Sequence, residues 1–122
     1  MPSGREEDIV WTGIDPLGRS VHDLQSVRNA REKSGRHQGP DRLEYDEMHD
    51  CLTTPSFIDA STYDETRETY YRVDPQPGKP PYQRVTVSFS DSVLAPDGVA
   101  ISYSRYGRPV SGKRIYTAEE GQ

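Results

Sequence analysis

The chain has 122 residues, 31% of them hydrophobic and 29% charged, with a net charge of −5. That allows one domain with a small core, well below the roughly 45–50% apolar content of an average globular chain. A single cysteine, Cys51, excludes an internal disulfide and a thiolate zinc site. No apolar run approaches the roughly 18 residues of a membrane-spanning helix, and the opening MPSGREED lacks a signal-peptide pattern, so the expectation is a soluble, cytoplasmic domain.

Residues 1–8 are small and polar and are expected to form a disordered arm, with 9–118 as one domain and 119–122 as a disordered tail. Ile9 to Ile14 (IVWTGI) reads as a short strand or a packed arm, and Asp15-Pro16-Leu17-Gly18 as a turn with proline and glycine where turns favour them. Ser20 is predicted to open a helix, because Ser20 and Asp23 have capping-box spacing and Val21, Leu24 and Val27 share one side. Arg28 and Arg31 fall on that same side, so either burial ends near Val27 or these arginines face a pocket. Ser34 to Pro40 is a loop rich in breakers.

Asp41 is a candidate N-cap for a second helix. Tyr45, Met48 and Leu52 form its apolar stripe, Asp46, Glu47 and Asp50 its wet side, and Pro55 its stop. The remainder reads as β. Phe57-Ile58 starts a strand. Thr69 to Val73 alternates, with Tyr71 and Val73 on one face and Tyr70 and Arg72 on the other. Asp74 to Pro81 is a proline-rich turn. Tyr82 to Ser90 alternates Val85, Val87 and Phe89 against Thr86, Ser88 and Ser90. Val99 to Tyr103 and Arg114 to Thr117 are further short strands. The predicted fold is α+β: two N-terminal helices packed on one face of a curved antiparallel sheet of four to five strands.

Charge is uneven along the chain. Residues 41–75 hold ten acidic and three basic side chains, whereas 76–122 hold six basic and four acidic. Gly107 to Arg114 (GRPVSGKR) nearly matches a phosphate-binding loop, but Arg114 stands where Ser or Thr would hold magnesium and the strand pattern that follows excludes the required helix. A basic loop is the expectation there. Asp46 and His49 have ligand spacing on one helix, yet no second such pair follows, so neither a metal nor a cofactor is expected. Cys51 flanks the apolar stripe and reads as a small buried hydrophobe.

Metal-free RNA cleavage needs an acid–base pair and cations for the developing phosphorane. Histidine suits the first by its pKa and arginine the second by its planar fork. His22, His37, Arg72 and Arg114 lie on or beside elements that can converge on one sheet face, and tyrosines can add hydroxyls or stack on bases. The ten carboxylates of 41–75 support an alternative, a non-catalytic module that docks on a basic protein partner through Asp46, Glu47 and Asp50.

The order of short pieces resembles the barnase–EndoU–colicin–RelE-like nuclease superfamily, especially its small phage and mobile-element members. These pieces are His22 and His37 around the first helix, Leu52-Thr53-Thr54-Pro55-Ser56-Phe57-Ile58, Tyr70-Tyr71-Arg72, Arg84-Val85-Thr86-Val87-Ser88-Phe89 and Ile115-Tyr116-Thr117-Ala118. The resemblance implies a toxin or phage-encoded effector that cleaves or binds RNA. His22 or His37 would then be the acid–base group, Arg72 would hold the phosphate and Thr117 would lie in the site. Arg31, Tyr71, Arg84, Arg114 and Tyr116 are the candidate substrate-binding residues.

Overall fold

The structure is a computed structural model that describes residues 4–35, 39–110 and 112–118. A helical turn, α1 (Gly4–Glu7), leads into β1 (Ile9–Ile14) and β2 (Ser20–Leu24), then α2 (Gln25–Ser34), a 3-10 turn at Gly39–Asp41 and α3 (Tyr45–Thr53). Five strands follow: β3 (Phe57–Ala60), β4 (Arg67–Val73), β5 (Tyr82–Ser88), β6 (Gly98–Tyr106) and β7 (Lys113–Thr117). All seven strands form one sheet in the order β1-β2-β6-β5-β4-β3-β7. Every pairing is antiparallel except β2 with β6, which is parallel.

This corrects the predicted architecture of two helices over an antiparallel sheet of four to five strands. The sheet is mixed and has seven. The helix expected from Ser20 is strand β2. Val21, His22, Asp23 and Leu24 are all buried, in an inner strand whose neighbours β1 and β6 bond both edges, and that pairing overrides the capping-box spacing. The helix begins five residues later, and its start is served from a distance. Asp8 accepts hydrogen bonds from the Gln25 amide through its carbonyl (2.8 Å) and from the Ser26 amide through its carboxylate (3.0 Å). A cap supplied by a residue so far upstream leaves no local signature. In α3 the N-cap is Glu44, in a reciprocal capping box with Glu47, and not Asp41.

Helices α2 and α3 lie on one face of the sheet. Val21, Met48, Cys51, Leu52, Ile58, Tyr70, Val85, Val87, Ala100 and Tyr103 form the core between them, with Val27 and Tyr45 at its edge. Burial pushes the Cys51 thiol well above its ordinary pKa, which fits a small packed hydrophobe. Trp11 of β1 stacks on His49 of α3, with ring centres 4.0 Å apart.

A buried ion cluster positions α3. The Arg105 side chain is fully buried; it bonds Glu47 of α3, Asp74 (2.9 Å) and the carbonyls of Asp74 and Pro80. It thereby fixes the helix and the proline-rich turn to the sheet. Its hydrogen bond holds the Asp74 carboxyl below the usual carboxylate range. A carboxyl depressed in this way contributes stability that is complete above its unfolded pKa, about 3.9, and is lost as the pH falls through the folded value. Asp74→Asn is therefore expected to lower stability at neutral pH and to flatten the acid limb of a pH–stability profile, read by urea unfolding at several pH values.

Gly13 marks the tightest approach. A Cβ there would run into the Trp11 ring and meet Thr53 at 3.0 Å. Gly13→Ala should cost about 1–3 kcal/mol by overpacking. Gly107→Ala, where a Cβ meets nothing within 4 Å, should stay within about 0.5 kcal/mol. Urea unfolding of the two variants checks both.

Candidate functional site

Successive side chains of a strand point to opposite faces. The face without helices carries Asp59, Thr69, Tyr71, Arg84 and Thr86, and beside them lies a cleft of about 830 Å³, within the roughly 300–1,000 Å³ of ligand sites. Residues 60–64 after β3 form one wall, with Tyr63 at 94% exposure. Arg108, Pro109 and Val110 form the other, and Arg67 completes the lining.

Tyr71 is the anchor of that second wall. Its hydroxyl accepts the Val110 amide at 3.0 Å, and its ring stacks on Phe57 at 4.9 Å. Burial raises the pKa of this hydroxyl. Gly112 lets the same loop close on β3, because a Cβ there would meet Asp59 at 2.9 Å and the Ala60 carbonyl at 3.0 Å.

Arginines and aromatic rings interleave across the face. Arg84 lies over the Tyr106 ring at 4.2 Å and Arg114 over Phe57 at 3.9 Å. Two carboxylates are already matched: Asp59 with Arg114, and Asp64 with Arg67 at 3.3 Å. Hydrogen bonds from Thr66 hold the exposed Asp64 carboxyl below the usual range. Arg84 and Arg108 have no carboxylate partner among the described residues, and the buried Nε of Arg84 has no hydrogen-bond partner at all among them.

The expected convergence of His22, Arg72 and Arg114 does not occur. Arg72 pairs with Gln83, whose side chain reaches Glu47 of α3, so alternation puts Arg72 on the helix-covered face. His22 is on the open face but stands three strands from Arg67 along the row His22, Val99, Ser88, Arg67, about 14 Å at the usual strand spacing. Both its ring nitrogens are engaged, one by Thr12 at 2.7 Å and the other by Asp97 at 2.8 Å. His37 lies outside the described residues.

Of the other candidates, Arg31 bonds the Tyr103 carbonyl and sits over that ring at 4.2 Å, on the helix face. Tyr116 packs against the core on the same side. Thr117 pairs with Phe57 on the sheet edge, outside the cleft lining. Glu47 is engaged by Arg105, whereas Asp46 and Asp50 stay exposed. His49 bonds Asp23 at 2.8 Å and forms no metal pair with Asp46. No group of three or more metal-ligating side chains occurs among the described residues, and no helix there is long and apolar enough to cross a membrane.

The cleft thus gathers Tyr71 and Arg84 from the sequence candidates and adds Tyr63, Arg67 and Arg108. Arg108 belongs to the basic Gly107–Arg114 segment, which carried the one visible signal. That segment connects β6 to β7, which pairs with β3 instead. Nothing in the local pattern marks Tyr63. No known protein family, curated protein or solved structure matches the chain.

Tyr71→Phe tests the anchoring role. It keeps the ring stack and removes the acceptor for Val110. Stability should drop by about 1 kcal/mol, and the Val110 amide should exchange with solvent faster, read by hydrogen-exchange NMR.

Proposed function

We propose that the protein binds single-stranded RNA on its open sheet face. The observation that carries this reading is Arg84. Its guanidinium has no carboxylate partner among the described residues, and its side chain lines a cleft large enough for a ligand. A phosphate supplies both the charge and a pair of acceptor oxygens that the planar guanidinium fork can engage.

Arg108 in the same lining strengthens the field, and the exposed Tyr63 ring and the Arg84 guanidinium, itself over Tyr106, are planes on which unpaired bases stack. Binding, rather than cleavage, is the half of the nuclease-like expectation these side chains support. His22, the one histidine on this face among the described residues, is held by Thr12 and Asp97, away from the arginines. The net charge of −5 does not oppose this, since a local cationic cleft sets the potential a ligand meets.

Fluorescence anisotropy with a labelled single-stranded oligoribonucleotide tests the reading. Arg84→Ala should weaken binding about tenfold or more, as expected for a charge-assisted contact, and should reduce the salt slope by about 0.7 per lost phosphate contact. Binding that is absent at low salt, or equal in Arg84→Ala, overturns it.

A further inference from the structure

We infer that the cleft reads the phosphorylated end of an RNA strand, and that its specific ligand is a nucleotide bearing a terminal phosphomonoester. This rests on the RNA-binding reading above and narrows it.

The first argument is charge. Of the cations on this part of the face, Arg67 is matched by Asp64 and Arg114 by Asp59. Arg84 and Arg108 remain without a carboxylate partner among the described residues. An internal phosphodiester brings a single negative charge, which leaves one guanidinium uncompensated. A phosphomonoester brings about −1.5 to −2 at neutral pH and three acceptor oxygens, which matches both.

The second argument is size. The cleft of about 830 Å³ has the dimensions of a small-molecule site, whereas grooves that track a strand hold roughly 4–16 nucleotides. Walls at 60–64 and 108–110 bound it on two sides. Tyr63, almost wholly exposed at the rim, is placed to stack the terminal base, and the Thr69 and Thr86 side chains line the floor as hydroxyl donors.

One oligoribonucleotide sequence made with a 5′-phosphate, with a 3′-phosphate and with hydroxyls at both ends is titrated against the whole protein. A nucleoside monophosphate, the parent nucleoside, inorganic phosphate and a phosphotyrosine peptide are titrated beside it. The expected result is tenfold or tighter binding of one phosphorylated end over the hydroxyl-ended strand, and the 5′ and 3′ forms identify which. The advantage should shrink as the pH falls through about 6, where the monoester loses its second charge. It should vanish in Arg84→Ala and fall in Arg108→Ala, while Arg84→Lys retains part of it. Thermal melts of each variant establish that it is folded. Tyr63→Ala should weaken the nucleotide and leave inorganic phosphate unchanged.

Equal binding of phosphate-ended and hydroxyl-ended strands overturns the end-reading inference and leaves RNA binding standing. Absence of binding by every RNA and nucleotide overturns both. Inorganic phosphate or the phosphopeptide binding as tightly as the nucleotide overturns the inference, since the base then contributes nothing.

Discussion

The alternation of side chains along β4 is the constraint from which the rest of the molecule follows. Tyr70 and Tyr71 are neighbours in sequence, both fully buried, and they point to opposite faces. Tyr70 enters the core and donates its hydroxyl to Asp15, within a cluster in which Arg19 also binds Asp15 and Glu68. Tyr71 faces the other way and pins residues 107–110 through Val110. One dipeptide therefore ties down the packed side and shapes the cleft on the open side. The two faces cannot exchange residues without shifting the register by one, which would turn every side chain over.

That division sorts the cations. On the helix-covered face three arginines are engaged within the protein, whereas Arg72 has no carboxylate partner among the described residues. Arg28 binds Asp23 beneath Tyr45, Arg31 binds the Tyr103 carbonyl, and Arg105 binds Glu47 and Asp74. Burial pushes the Tyr103 hydroxyl, beside Arg31, up to about 12. Buried pairs of this kind add little net stability, because desolvation offsets their attraction, but losing one partner is costly. They set where α2 and α3 sit more than how firmly the domain folds. On the open face Arg84 and Arg108 stand without a carboxylate partner among the described residues.

The strands were legible where alternation was clean. The patterns of 69–73 and 82–90 place β4 and β5, and they separate Arg72 from Tyr71 before any coordinates are considered. Alternation alone does not fix which of those faces the helices cover, and it is their packing that separates Arg72 from Arg84 and Arg114. Strand β2 was illegible for a related reason. Val21 to Leu24 is buried on both faces, which removes the period-two signal and leaves a spacing that mimics a helix start. The cleft was half legible: Tyr71 and Arg84 carry strand-borne chemistry, while Tyr63 sits in a loop whose course depends on pairing between β3 and β4.

The acidic band of residues 41–75 shows why net charge is a poor guide to what this chain binds. Glu47, Asp59, Asp64, Glu68 and Asp74 each face an arginine, so much of the band is neutralised inside the fold. Asp46 and Asp50 of α3 are exposed and lie on the helix side, across the sheet from the cleft. Asp46 and Asp50 thus lie behind the sheet, and Arg84 and Arg108 in front of it. Guanidiniums nearest the cleft make its local potential more positive than that of the whole molecule, which is negative. The range of that potential is set by the Debye length, about 8–10 Å at physiological salt, so only charges within that distance of the cleft shape it.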